Sequence, residues 1–373
     1  MKKTVVILGA FEPKENEAEY IREYVAKKGH QPVIIDSGKT LDEAKKIVND
    51  LRSSGKIDGV ISLGGARGTE IGLETMKTLP IGMPKLMVTT VRDACYIGTN
   101  DITVMPISAE TIGLKAELKR ILTNAAGAIV GMAETEAETP VPAKSLSLIG
   151  ITAMGVTTPA AMKIISLLKK KGYDTISFHV RTEVLNKLIE EERIDGVIDL
   201  TPYEVLLPFA YPMPDEYLGI KDRLEGAGKK GLPQIIIPGG LDMLIFPGTR
   251  ESIPEEFQNR LIQAHGPNTT LVRTTKEEVG EAGRILTERA NRATGPVGIE
   301  IPLRGFSEDD EEGKLFYDPA ADRAFSEAVK KNAKEKVYVM EVDAHVNDDI
   351  FAQDVVNIFD EMYASSRVKT KRR

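Results

Sequence analysis

The chain has 373 residues and a net charge of −7, and 42% of its residues are hydrophobic, 28% charged and 5% aromatic. This length exceeds that of one ordinary core, so two domains are expected. The negative charge, and the absence of aromatic residues interleaved with Lys and Arg, argue against a nucleic-acid polymer as ligand. Only the tail at 366–373 is strongly basic, which is typical of a solvated terminus.

Cysteine usage and hydropathy predict a cytoplasmic protein. A single cysteine, Cys95, excludes an intrachain disulfide and leaves too few thiols for a cysteine-based zinc site. No run approaches the roughly 18 apolar residues of a membrane span. The initial "TVVILG" is followed by acidic, helix-forming sequence rather than by a cleavage site, so a first strand is favoured over a signal peptide.

The first third of the chain predicts a doubly wound α/β domain over residues 1–132. Apolar runs alternate there with helical patterns of ten to fifteen residues. Strands that are apolar throughout indicate a parallel sheet covered on both faces. The predicted strands lie at 4–9, 31–36, 58–64 and 84–91.

An acidic, proline-bearing segment at 133–145 predicts a linker, after which the α/β pattern restarts over 146–373. "IDGVISLGG" at 57–65 is echoed by "IDGVIDLTP" at 194–202. We interpret this echo as two related α/β units. Ligands of open α/β sheets bind along the carboxyl ends of the strands, so a site is expected there or in a cleft between the units.

The turn after the third predicted strand has the ingredients of an anion site. It carries Gly64, Gly65, Gly68 and Thr69. Neither standard nucleotide fingerprint is present. Glycines nevertheless let the backbone approach an anion at a helix N-terminus, where Arg67 and the Thr69 hydroxyl could add donors. An ordinary tight turn remains the alternative. Lys14, after the first strand, is either a second phosphate contact or a solvated lysine.

Several residues of the second half are candidates for substrate binding. Thr157 and Thr158 follow a strand and are either ligand contacts or helix caps. Two segments broken by Gly and Pro, 238–248 and 265–275, are predicted as loops that form the walls of a site. Their reactive residues are Asp242, His265 and Arg273, and a later loop adds Arg304.

An Asp-x-His pair, Asp343 and His345, follows the last predicted strand. Alternation along a strand would place both side chains on one face, which suits a general base with an orienting carboxylate or two metal ligands. His265 is the obvious third member of a catalytic group. Capping of the closing helix by neighbouring side chains is the alternative, and no metal is assigned because the ligand set is incomplete.

Taken in order, the motifs resemble those of a known family. They include "VVILGAFEPKENEAE", "DGVISLGGARGT", "YIGTNDITVM", "IGITAMGVTTP", "PGGLDM", "GPVGIEIPLRG" and "VDAHVND". The family comprises bacterial, archaeal and plant proteins of uncharacterised chemistry related to the ATP-binding, replicase-inhibiting domain of the tomato mosaic virus resistance protein. The resemblance implies two Rossmann-like domains, a homodimer, and ATP or a related nucleotide as ligand. Members commonly have "DTK" where this chain has Glu12-Pro13-Lys14, and Arg67 stands where a small residue is more usual.

Two functional hypotheses follow. In the first, the protein binds an ATP-like nucleotide in or near the interdomain cleft through the glycine turn and Lys14. In the second, it is a metabolic enzyme acting on a small carboxylate or phosphorylated substrate. The enzyme hypothesis uses the group His265, Arg273, Arg304, Asp343 and His345.

Overall fold

The computed structural model describes residues 1–9, 15–36, 40–91, 101–107, 116–135, 146–180, 183–211 and 223–370. Contacts divide the chain into two compact units, Met1–Pro142 and Ala143–Arg373. The predicted phosphate contact Lys14 and most of the predicted linker lie outside the described residues. Among those described, no helix is both long and apolar enough to cross a membrane.

The N-terminal unit is a doubly wound α/β domain, as predicted. Its strands are β1 Thr4–Gly9, β2 Gln31–Asp36, β3 Gly59–Gly64, β4 Lys85–Thr89 and β5 Thr103–Pro106. All pairs are parallel, in the order β2-β1-β3-β4-β5. Its helices are α1 Glu15–Lys27, α2 Leu41–Ser53, α3 Ala66–Met76 and α4 Ala116–Glu134. Apolar residues of α1 and α4 cover one face of the sheet and those of α2 and α3 the other.

The C-terminal unit contains a six-stranded parallel sheet and a smaller antiparallel sheet. Its strands are β6 Leu148–Ala153, β7 Asp174–His179, β8 Gly196–Asp199, β9 Gln234–Ile236, β10 Met243–Pro247, β11 Ile262–Ala264, β12 Thr269–Arg273, β13 Val297–Pro302 and β14 Val337–Val342. The parallel sheet has the order β14-β13-β9-β8-β6-β7, and the antiparallel sheet the order β10-β12-β11. Both units therefore have the predicted Rossmann-like α/β architecture.

Helices surround the large sheet, with local signals that fix where they begin. They are α5 Thr158–Lys170, α6 Glu183–Glu190, α7 Leu207–Ala210, α8 Glu225–Lys230, α9 Lys276–Ala290, α10 Pro319–Asn332 and α11 Asp349–Thr370. A capping box between Thr275 and Glu278 begins α9, and the Asp318 carboxylate caps α10. These residues exchange hydrogen bonds with helix N–H groups that have no partner inside the helix.

The antiparallel sheet corrects the prediction of loops at 238–248 and 265–275. Residues 243–247 form β10, paired along its whole length with β12. The flanking Gly239-Gly240 and Pro247-Gly248 pairs suggested a loop, but the intervening "MLIF" is apolar and is buried against the C-terminal core. Because the "MLIF" run is buried, it forms a strand, and the Gly and Pro residues on either side mark only where the strand begins and ends.

Two topological switch points mark where ligands of such sheets bind. The strand order reverses between β1 and β3 in the N-terminal sheet and between β6 and β8 in the C-terminal sheet. The sequence echo falls on β3 and β8, each of which lies next to the first strand of its own sheet. The carboxyl ends of these strands are therefore the positions at which to look for a site.

Candidate functional site

Gly64 is required for packing at the turn between β3 and α3. A Cβ atom built there would lie 2.3 Å from the backbone nitrogen of Thr69 and 2.4 Å from the carbonyl carbon of Gly68. Real Cβ atoms do not approach backbone this closely, so any side chain at this position would displace α3. The first glycine of the turn thus serves the close contact between helix and strand.

Gly65, the next residue, is the N-cap of α3 and has no side chain with which to cover the helix N-terminus. Its backbone is extended, with φ −85° and ψ −159°, and no side chain of the described residues caps the helix. The first intrahelical bond runs from Thr69 N–H to Gly65 O at 2.8 Å. The N–H groups of residues 66–68 therefore have no carbonyl partner inside the helix. Ala66 and Arg67 are exposed, so this helix N-terminus can accept an anion from solvent.

The Thr69 side chain is used inside the fold. Its hydroxyl lies 2.6 Å from the Thr89 hydroxyl, and both residues are 2% exposed. Thr89 Oγ1 also accepts from Val91 N–H at 3.0 Å. Thr69 thus ties α3 to the end of β4 and, in this arrangement, does not face solvent.

At the second switch point the space beyond β8 is filled by Arg223. Its fully buried guanidinium donates to Asp199 Oδ2 at 2.9 Å and to Thr201 O at 2.7 Å, and it also pairs with Glu204. Burial raises the pKa of Glu204 to about 7, against the opposing effect of Arg223. This buried network was not predicted from the sequence, although "DLTPYE" after the strand contains both of its acids.

Thr157 and Thr158 bond within the fold and do not cap α5. The Thr157 hydroxyl is fully buried and lies 2.8 Å from the Thr201 hydroxyl, while the Thr158 hydroxyl donates to Met154 O. At the start of α5 the Asn347 side chain accepts from Ala160 N–H at 3.1 Å. A distant residue therefore supplies the cap that the capping alternative assigned to the two threonines.

Arg273 and Asp242 lie in the interior. Arg273 donates to Phe316 O at 2.7 Å and to Asp322 Oδ1 at 2.9 Å, and is 4% exposed. Asp242 Oδ2 accepts from the Ser307 hydroxyl at 2.7 Å. Burial, with the nearby Asp310 carboxyl, raises the pKa of Asp242 to about 7. Neither predicted substrate contact reaches solvent in this state.

The predicted catalytic group does not assemble. His265 is exposed in the turn between β11 and β12, whereas Asp343 forms an exposed two-bond ion pair with Arg304, at 2.8 Å for each bond. The hydrogen bond from Arg304 lowers the pKa of Asp343. Buried His345 lies 2.8 Å from Ser307 O through Nε2. Among the described residues, no hydrogen bond or ion pair joins the side chains of His265, Asp343 and His345 to one another.

Asp343 and His345 lie beyond the end of the last strand. β14 stops at Val342, so the alternation assumed for Asp343 and His345 does not extend to them. The placement of both side chains on one strand face was therefore wrong. Among the described residues, no group of three acidic, His or Cys side chains is positioned to hold a metal.

Comparison with known proteins identifies relatives over nearly the whole chain. Residues 39–138 and 146–363 match the models of the N-terminal and C-terminal domains of a family described as "Uncharacterised protein family (UPF0261)". A UPF0261 protein of Clostridium tetani is 33% identical over 403 residues, covering 94% of this chain and 97% of the relative. A UPF0261 protein of Rhizobium meliloti is 32% identical over 397 residues, covering 95% and 98%.

A plant relative bears out the predicted resemblance. The ToMV resistance protein Tm-1(GCR237) of Solanum lycopersicum is 32% identical over 341 residues. The match covers 88% of this chain and 44% of the tomato protein. The bacterial relatives thus correspond to the present chain end to end, whereas the tomato protein has a further region outside the match.

Proposed function

The chain belongs to the uncharacterised protein family UPF0261, and we propose that its N-terminal domain binds a nucleotide or a closely related phosphorylated small molecule. The phosphate groups would lie at the turn between β3 and α3. The observation that carries this proposal is the uncovered start of α3, where Gly65 presents no side chain and the N–H groups of residues 66–68 have no partner inside the helix.

Three physical features favour an anion at this turn. The start of an α-helix carries the equivalent of roughly half a positive charge. Gly65 lets a phosphate oxygen come within hydrogen-bond distance of the backbone, and the exposed Arg67 adds a guanidinium to the same turn. The turn also follows β3 at the switch point of its sheet, the usual ligand position of this architecture.

The two switch points differ, and this difference is the reason to assign the phosphate site to the N-terminal domain. Beyond β8 the buried Arg223 occupies the interior, and the N-terminus of α5 is capped by Asn347. The sequence resemblance to an ATP-binding domain supports an adenine nucleotide as the first ligand to test. The alternative of a metabolic enzyme using His265, Asp343 and His345 has less geometric support, because no hydrogen bond or ion pair among the described residues joins these side chains to one another.

Calorimetric titration with ATP, ADP, GTP and pyrophosphate tests the proposal. We expect saturable heats for at least one nucleotide, and at least a tenfold loss of affinity in Gly65→Val. The extended backbone of Gly65 is a conformation that residues with a side chain adopt, and a valine there would place its methyl groups at the start of α3. Circular dichroism and the elution volume of the variant verify that it is folded.

The control is the same substitution at Gly131, an exposed position on α4 where an added Cβ meets nothing within 4 Å. Gly131→Val should bind like the wild type. Undetectable heats for every ligand, or equal affinities of wild type and Gly65→Val, would overturn the proposed site. Binding of pyrophosphate as tightly as ATP would show that the domain recognises phosphate without a base.

A further inference from the structure

We propose that residues 303–318, here called the strap, form a proton-dependent cover over the carboxyl edge of the C-terminal sheet. The latch is a buried group of three carboxyls, Asp242, Asp310 and Asp322, around the single guanidinium of Arg273. Loss of the protons that this group holds loosens the strap and opens that edge. This inference concerns the C-terminal domain and does not depend on ligand binding by the N-terminal domain.

The strap leaves β13 and bonds to the turns that follow three other strands. Glu308 N–H donates to Val156 O, after β6, at 3.1 Å. Gly240 N–H, after β9, donates to Phe306 O at 2.9 Å. Val346 N–H, after β14, donates to Gly305 O at 3.2 Å. One segment of the chain therefore spans the edge where a sheet of this architecture binds ligands.

Side chains of the strap complete the cover. Phe306, Ser307 and Phe316 are fully buried. The Ser307 hydroxyl donates to Asp242, and the Ser307 carbonyl lies 2.8 Å from His345 Nε2. The strap is packed as part of the core, and any ligand of this edge would require it to move.

Asp310 holds the strap from within. Its Oδ2 accepts from Phe306 N–H at 2.9 Å and its Oδ1 from Asp318 N–H at 3.4 Å, so one carboxyl joins the beginning and the end of the segment. Arg273 Nη2 lies 3.7 Å from Asp310 Oδ1 and 2.9 Å from Asp322 Oδ1. These positions make Asp310 the connection between the strap, β12 and α10.

The charges of this group balance only when two of its three carboxyls are protonated. Three ionised carboxyls around one guanidinium would leave two uncompensated negative charges in the interior, at a cost that proteins avoid by protonation. Asp242 Oδ1 and Asp322 Oδ2 are buried and, within the described part of the chain, have no hydrogen-bond partner. Burial, then the nearby Asp322, raises the pKa of Asp310 to about 8.

The other titratable groups around the strap are engaged separately. Asp309 Oδ1 accepts from the Gln263 amide, and the Asp318 side chain caps α10. His345 bonds to the strap carbonyl and, through Nδ1, accepts from Asn347 N–H. Arg304 and Asp343 pair with each other at the surface. The protons held by Asp242, Asp310 and Asp322 therefore distinguish the two states of the strap.

The sign of the pH dependence follows from the raised pKa. A carboxyl that is easier to protonate in the closed state favours closure at low pH and loses that contribution as pH rises from its ordinary pKa, near 4, to the raised one, near 8. The strap should therefore open progressively across this range and change little above it.

Hydrogen exchange followed by mass spectrometry at pH 6 and pH 8 tests the latch on the full chain. After correction for the intrinsic pH dependence of amide exchange, peptides of the strap should exchange at least roughly tenfold faster at pH 8, since one released proton changes an equilibrium about tenfold per pH unit. Peptides covering β3 should show equal corrected rates at both values. Equal corrected rates for the strap in the wild type would overturn the proposal by themselves.

Asp310→Asn supplies the specific test, because an amide resembles the protonated acid and cannot ionise. The exchange rate of the strap should therefore change less between pH 6 and pH 8 in the variant than in the wild type, with the remaining change due to Asp242 and Asp322. Asp309 is the half-buried neighbour of Asp310, and Asp309→Asn serves as the control. Exchange of the strap should depend on pH in this variant as it does in the wild type. If Asp310→Asn fails to fold, Asp322→Asn is measured in its place, with the same reduction of the pH effect expected. Retention of the full pH effect in a folded variant of either residue would contradict the latch.

Discussion

The two α/β units place the same strand sequence at the same topological position and then use it differently. After β3, Gly64-Gly65 leads directly into α3, and the helix N-terminus meets solvent. After β8, Thr201-Pro202 leads into a short 3-10 helix, Tyr203–Leu206, that carries Glu204 inward to Arg223. Topology therefore defines where a site can be, and the two residues at this point of the sequence echo determine whether the position stays open to solvent or becomes part of the core.

The buried edge beyond β8 depends on ion pairs between Arg223 and two acidic side chains. Fully buried Arg223 balances Asp199 and Glu204 and also satisfies backbone carbonyls at Val180 and Thr201. Such a group stabilises a fold only while every member is present, since removal of one partner leaves charge without compensation in the interior. Among the described residues, the edge beyond β3 has no comparable buried ion pair, so mutations should affect the two edges differently.

The largest effect is expected for Arg223→Met. Methionine approximates the volume of arginine but leaves Asp199 and Glu204 unpaired, so the free energy of unfolding should fall by about 3–5 kcal/mol. Urea denaturation followed by circular dichroism measures the loss, and hydrogen exchange locates it to β6 and β8.

The same substitution at Arg304 is the control for Arg223→Met. Arg304 also forms an ion pair, with Asp343, but on the surface. Arg304→Met should leave the denaturation midpoint unchanged, because solvent replaces an exposed partner. Equal effects of the two variants would show that the network beyond β8 is not the stabilising feature that distinguishes this edge.

Gly64→Ala should produce the next largest effect. The added methyl group would overlap the backbone of Thr69, so α3 must shift at a cost of about 1–3 kcal/mol. Exchange rates of amides in α3 and β3 report the shift. Gly155→Ala makes the same change after β6, where an added Cβ meets nothing within 4 Å, and should be tolerated. A fully stable Gly64→Ala would refute the packing role of this glycine.

Much of the fold follows from the sequence because parallel strands are buried on both faces. The runs at 4–9 and 58–64 are apolar for that reason, and the observed strands coincide with them within a residue. The run at 31–36 also coincides with its strand, although it lies at an edge of the sheet where only Ile35 is buried. β5 was missed because only four residues of "ITVMP" pair, at an edge of the sheet. β10 was missed because turn residues flank it.

The candidate site was less accessible to sequence reasoning, because it depends on partners distant along the chain. Nothing near Arg223 in sequence indicates that it will balance Asp199, or that Arg273 will meet Asp322 across two elements. The glycine turn was recognised because helix starts are local. The role of Thr69, in contrast, is set by Thr89 on the neighbouring strand.

Thr69→Val should give the smallest effect on stability. It tests whether the Thr69 hydroxyl supports the fold or contacts a ligand at the carboxyl end of β3. The substitution removes the buried hydrogen bond to Thr89 and should cost about 1 kcal/mol of stability. Thr75→Val is the matched control in the same helix, since the buried Thr75 hydroxyl lacks a hydrogen-bond partner in the described part of the chain and its loss should cost nothing. In the calorimetric titration both variants should keep the nucleotide affinity of the wild type, because the proposed donors are the backbone N–H groups of residues 66–68. A selective loss of affinity in Thr69→Val would instead make the hydroxyl a ligand contact, and the bond to Thr89 would then have to open when the ligand binds.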